Sequence, residues 1–153
     1  MTTIAIIGAG PGLGAAVARR FGAFMRPIME TTPADLVGPV EFSIYGPVAA
    51  VHQVVPGMRF LGENRGTILF VNGGTALVPR AHLTGTSIAF AGETVYAQLL
   101  HETLGEEGIH VSQLVIGGSI VADDKEKDPE ILAGILWDLH DKRDRFRVEV
   151  ATG

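Results

Sequence analysis

Three short apolar runs, each ended by glycine, punctuate the chain. Residues 3–7 (Thr-Ile-Ala-Ile-Ile) run into Gly8, residues 67–71 (Thr-Ile-Leu-Phe-Val) into Asn72-Gly73-Gly74, and residues 109–116 into Gly117-Gly118. Short runs without polar alternation predict strands buried on both faces. Helical patterns lie between them. Leu13, Val17 and Phe21 are four apart, so residues 15–21 predict a helix directly after the first glycines. Gly22 ends it, and residues 21–31, broken by Pro27, read as an irregular connection.

Thr32-Pro33-Ala34-Asp35 reads as a helix opening, with threonine to cap, proline at the first helical position and an acid three residues after the cap. That helix should reach about Met58, with a kink or break at Gly46-Pro47. Residues 57–65 predict a loop. Residues 85–104 predict a long helix with Ile88, Val95, Leu99 and Leu100 on one side. Its small residues Ala89, Ala91, Gly92 and Ala97 would allow close packing. Residues 121–128 are polar and read as a solvated loop. Asp128-Pro129 opens a helix over 130–140, with Ile131, Ile135, Leu136 and Leu139 facing inward, and residues 146–150 offer a last strand.

Strands that alternate with helices and carry no polar face predict an α/β fold, a mostly parallel sheet with helices on both faces. The chain has 153 residues, 46% of them apolar, enough for one domain spanning 1–153 with its own core. The net charge of −5 argues against a nucleic-acid surface. The absence of cysteine excludes disulfides, thiolate metal sites and a cysteine nucleophile. No His or carboxylate spacing suggests a metal. No apolar run has the length of a membrane span, and no basic segment precedes Ile4, so the expected compartment is the cytoplasm.

The first glycine cluster carries the clearest chemistry. Gly8, Gly12 and Gly14 fit G-x-x-x-G-x-G, while Gly8 and Gly10 begin a G-x-G-x-x-G whose third glycine is replaced by Leu13. In either spacing the first glycine turns tightly off a strand. The next lets backbone approach a pyrophosphate, and the following helix presents free N–H groups to it. Gly8, Gly10, Gly12, Leu13 and Gly14 are therefore expected to bind a dinucleotide.

Together these features resemble the short-chain dehydrogenase/reductase family. The glycine loop resembles that family's cofactor loop, and residues 66–71 its fifth strand. Residues 108–111 with Gly117-Gly118 resemble its sixth strand and the turn that closes over the nicotinamide. The resemblance implies a truncated Rossmann-like domain binding NADP or NAD, with Asn72, Gly73 and Gly117 also near the cofactor. The strand order it implies, in the family's numbering, is 1-5-6-7. It also implies a homo-oligomer (dimer or tetramer), through the small-residue helix or the uncharged strand at residues 4–7.

Two departures stand out. The segment that carries the family's second to fourth strands, including its ribose-binding acid, has no counterpart. Asp35 has the spacing of that acid, but helix capping explains it better. The family's Tyr-x-x-x-Lys pair falls on Thr86 and Phe90, its serine near Gly73 and its asparagine at Ser43. None of these can raise or hold a proton as the family pair does. His82 and Thr86 remain as catalytic candidates, His82 because it lies in the loop entering the long helix.

Three readings stay open. One is an atypical NAD(P)-dependent reductase with weak or absent carbonyl reduction. Another is a non-redox enzyme such as a cyclase, isomerase or dehydratase, with a pocket lined by Leu77, Val78 and Phe90. The third is a non-catalytic, oligomerising or ligand-binding remnant. In each, the expected partner is a small-molecule ligand, not nucleic acid or a membrane.

Overall fold

A computed structural model describes the backbone of residues 4–8 together with residues 25–62 and 66–151. Four strands form one sheet: β1 (Ile4–Gly8), β2 (Gly66–Gly73), β3 (Ile109–Ile116) and β4 (Arg147–Val150). They lie in that order and every pair is parallel. Ile4 stands opposite Thr67, Thr67 opposite His110, and Gln113 opposite Arg147. The first strand therefore pairs directly with β2. The expected helix over 15–21 lies outside the described residues.

Parallel neighbours need long crossovers, and helices supply them. Helix α1 (Pro33–Val40) opens as its sequence predicts, with the Thr32 N–H and hydroxyl both donating to Asp35 Oδ2, at 3.0 and 2.8 Å. It continues through a π turn, Glu41–Tyr45, into α2 (Gly46–Met58). Pro47 has no N–H to offer the preceding turn, and the Gly46 N–H reaches five residues back to the Glu41 carbonyl. The expected break at Gly46-Pro47 is thus a widened turn just before it, and the helical path continues to Met58. Helix α3 (Thr84–Gly105) joins β2 to β3, and α4 (Pro129–Lys142) joins β3 to β4.

The helices divide between the two faces. Val51, Val55 and Met58 of α2 and Ala97 and Leu104 of α3 pack on Ile68, Phe70, Ile109 and Val111. On the other face, Leu132 and Leu139 of α4 pack on Leu69, Leu114, Ile116 and Val150. Every residue of β3 is buried, which is why its sequence shows no alternation. Full burial of a side chain such as Ile68, Phe70 or Leu114 is worth roughly 1.5–3 kcal/mol each.

Two helix faces differ from expectation. In α3 the apolar stripe Ile88, Val95 and Leu99 points to solvent, while Ala89, Glu93, Thr94 and Ala97 face the sheet. Small side chains are what let this helix lie close. A Cβ added to Gly92 would fall 2.8 Å from Ile44 Cδ1 in the π turn. In α4 the buried positions are Leu132 and Leu139, with Ile135 and Leu136 half-buried beside them; Ile131 faces outward. Among the described residues no helix is long and apolar enough to cross a membrane.

Candidate functional site

All four strands run toward one edge of the sheet, and the glycines gather there. Gly8 ends β1 opposite Val71, so the first glycine cluster starts at the edge where β2 delivers Gly73 and Gly74. β3 delivers Gly117 and Gly118 to the same place, because Gly73 pairs with Ile116. The carboxyl edge of a parallel sheet is where open α/β folds bind ligands.

The two glycine pairs nearly touch. A Cβ on Gly74 would lie 3.2 Å from Gly117 Cα, and one on Gly73 would lie 3.3 Å from Phe90 Cε2. Gly118 has a φ of +73°, a left-handed conformation that side chains disfavour. Beside them opens a cleft of about 630 Å³, within the range of small-molecule sites. Its floor is Gly73, Gly74, Gly117 and Gly118, its apolar wall Met25, Val78, Leu83 and Ile116. Arg80, His82, Thr86 and Lys127 supply its polar side chains, with the Thr75 hydroxyl.

Local hydrogen bonds hold the mouth of the cleft. The Arg80 N–H donates to Ser87 Oγ at 3.0 Å, and the Ser87 hydroxyl donates back to the Arg80 carbonyl at 3.3 Å. Ile28 N–H bonds the Ala81 carbonyl and Thr84 N–H the Arg26 carbonyl, which brings Met25 alongside. The Thr86 hydroxyl donates to the Leu83 carbonyl at 3.0 Å, leaving its lone pairs to accept.

The cleft thus brings Gly73, Gly117, His82 and Thr86 to one place. His82 is exposed and Thr86 half-buried. Gly10, Gly12, Leu13 and Gly14 lie outside the described residues. Asn72 does not face the cleft. It is buried beneath α3, where its amide donates to Glu93 Oε2 (3.2 Å), Thr94 Oγ1 (3.4 Å) and the Phe90 carbonyl (3.4 Å). Neither Leu77 nor Phe90 lines the cleft; Phe90 backs Gly73 from behind, and the apolar pocket expected there is a mixed, cationic one. Ser43, where the resemblance put an asparagine, is buried in the π turn with no hydrogen-bond partner among the described residues. Asp35 is occupied by Thr32 and by Arg26, 3.0 Å away, as its capping role requires.

Three features escaped the sequence reading. Arg80 and Lys127 are 47 positions apart and meet only through the fold; cations in loops that follow parallel strands were the available signal. The third is Glu93, a carboxyl buried under the sheet. Burial pushes its pKa up to about 7, against the opposing hydrogen bond from Asn72. Thr94 extends the network, accepting from Gln113 Nε2 at 2.8 Å, while Arg147 Nε donates to Gln113 Oε1 at 2.9 Å. No cluster of three metal-ligating side chains occurs among the described residues.

The chain matches no protein-family profile and no curated protein. Its fold is that of solved short-chain dehydrogenase/reductase structures. A short-chain dehydrogenase from Rhodopseudomonas palustris superposes with a TM-score of 0.72 at 21% identity, over 95% of this chain and 60% of that one. A short-chain oxidoreductase from Pseudomonas aeruginosa PAO1, described as containing an atypical catalytic centre, gives 0.71 at 18% identity in its apo form, over 98% and 65%. The NADPH-bound structure of a short-chain oxidoreductase from the same strain, likewise described, gives 0.62 at 19% identity, over 88% and 45%. The chain therefore spans about half to two thirds of the length of these proteins.

Proposed function

We propose that the chain is a single, shortened dinucleotide-binding unit that takes NADP or NAD and a small-molecule ligand, with weak or absent carbonyl reduction. The observation that carries this reading is the cleft at the carboxyl edge of the sheet, beside the end of β1 where the glycine loop begins. The residues present suit such a group. Gly74 and Gly117 pack backbone against backbone, a Cβ on Gly74 falling 3.2 Å from Gly117 Cα, and the missing side chains leave bare backbone along the cleft. Gly8, Gly10, Gly12, Leu13 and Gly14 would hold the pyrophosphate, and Gly73 and Gly117 the nicotinamide end. In its reduced form the bound cofactor would supply a hydride, and in its oxidised form would accept one.

The chain's own acid–base equipment is modest. Thr86 can accept a hydrogen bond and orient a carbonyl compound through water, but a hydroxyl without a positioned base is a poor acid. His82 is the one imidazole among the described cleft side chains, with ring nitrogens that can donate or accept a hydrogen bond. This pairing of a histidine and a threonine, with phenylalanine where the family lysine would fall, favours a second reading: proton-transfer chemistry without redox, as in an isomerase or dehydratase. The solvent-facing stripe Ile88, Val95 and Leu99 suits self-association into a homo-oligomer. A soluble, cytoplasmic setting is part of this reading.

Titration with NADPH and NADH, followed by nicotinamide fluorescence, tests the main reading. Saturable enhancement abolished by Gly12→Asp is expected. A flat response from folded protein would end the reading.

A further inference from the structure

The cleft carries a charge pattern opposite to that of the chain. The net charge is −5, yet the cleft's charged side chains are Arg80 and Lys127, joined by His82, and no described carboxylate lines it. Residues 1–24 contain no Asp or Glu. Of the other residues outside the description only Glu63 is acidic, and it precedes β2, whose far end forms the cleft. Neither Arg80 nor Lys127 takes part in a salt bridge among the described residues, whereas Arg26, Arg59, Lys142, Arg145 and Arg147 do.

Local structure explains why Lys127 is left over. Asp124, the acid that acts on it electrostatically, spends one oxygen on the backbone N–H groups of Glu126 and Lys127, each at 2.9 Å. Asp128 caps α4 through Glu130 N–H at 2.8 Å and takes Asp123 N–H at 2.7 Å. Asp124 and Asp128 thus spend carboxylate oxygens on the loop's own backbone. The loop turns the Lys127 ammonium toward β3, where Nζ lies 3.7 Å from the position of a Cβ on Gly118. Arg80 has its backbone clamped by Ser87 while its side chain remains exposed at the rim. A guanidinium and an ammonium on clamped backbone, facing one cleft without an acid between them, are arranged for anionic oxygens.

We propose that Arg80 and Lys127 form an anion-recognition subsite in this cleft, which selects a small organic acid or phosphate ester whose apolar part lies against Val78 and Ile116. The proposal deepens the dinucleotide reading by naming the ligand's charge, but the subsite stands without a nicotinamide. A carboxylate or phosphate could belong to a separate ligand or to the cofactor itself, and the test separates them.

Malonate and inorganic phosphate, titrated calorimetrically into the full chain at constant ionic strength, should bind saturably. Arg80→Gln/Lys127→Gln should weaken both at least tenfold, and Lys127→Arg should retain binding. NADH titrated in parallel identifies the source. Unchanged NADH affinity in the double variant means a separate acidic ligand; a matching loss means that the cofactor's phosphates use the subsite. Small-anion binding that depends on both cations while NADH never binds would leave the subsite standing and remove the dinucleotide reading. Small anions that bind the double variant as well as wild type, or that fail to bind wild type, overturn the proposal.

Discussion

The two ends of the sheet use polar side chains in opposite ways. At the amino end, Thr67 pairs with His140 Nδ1 at 2.8 Å, and Ser112 pairs with His110 Nε2 at 2.6 Å while donating to the Arg145 carbonyl at 2.8 Å. His101 meets the Val111 carbonyl at 2.7 Å and packs on the Phe146 ring. Arg143 closes that end on the carbonyls of Gly66 and Gly108. At the carboxyl end, Arg80, His82 and Lys127 line the cleft with no salt-bridge partner among the described residues. Polar groups that satisfy each other hold a fold together; polar groups left over beside a cleft are available to a ligand. The histidine count alone does not separate the two cases, since His82 and His110 differ only in where the strands put them.

The sharpest test of this contrast concerns Glu93, the buried carboxyl between the two ends. Its folded pKa, about 7, lies above the ordinary 4.5. Its neutral form is favoured in the fold, so stability is full below pH 4.5 and falls as pH rises to about 7. Glu93→Gln should raise stability at pH 8 by up to roughly 3 kcal/mol and leave it nearly unchanged at pH 4.5, read from urea midpoints. A variant less stable than wild type at pH 8 would mean that the ionised carboxylate contributes favourably.

Ser112→Ala comes next. It strips the Arg145 carbonyl of its donor and His110 of its partner in a fully buried position. We expect a loss of about 1–3 kcal/mol in thermal or denaturant unfolding, with NADH binding unchanged. Loss of binding at constant stability would erase the division between the two ends.

His110 should give a pH-shaped effect of the opposite sense to that of Glu93. Burial, and then the positive Arg143 and the neighbouring His101, lower its pKa from 6.5 to about 4. The neutral ring is the folded form, so its contribution is present above pH 6.5 and is lost as pH falls through 4. Relative to His110→Gln, wild type should lose melting temperature between pH 6.5 and 4. Parallel curves would refute the assignment.

The smallest effect on stability belongs to the open end. Arg80→Gln and Lys127→Gln should each leave unfolding within about 0.5 kcal/mol of wild type, because neither side chain is in a salt bridge among the described residues. A large destabilisation by either would show that the cleft's cations are structural after all.

The elements were legible because their signals are local. Apolar runs closed by glycine marked β1, β2 and β3, and the Thr32, Pro33 and Asp35 spacing marked the start of α1. Pro47 announced a disturbance, though the π turn that absorbs it depends on the Gly46 N–H finding Glu41. Helix faces were less legible. Ile88, Val95 and Leu99 form a good apolar stripe, but the sheet takes the opposite side, where Ala89 and Ala97 permit close approach. Of the site, Gly73, Gly117, His82 and Thr86 could be proposed from position, and the cleft joins them.

By itself, then, the sequence determined the strands, the helices and the alternation that makes a parallel sheet, because period and turn chemistry act over a few residues. Only the tertiary structure decided which polar groups are spent and which are free. Asn72 turns under α3 to meet Glu93 and Thr94, whereas Arg80 and Lys127, 47 positions apart, line one cleft. Burial and pairing are properties of neighbours in space, and parallel strands bring together at one edge residues that the chain keeps far apart.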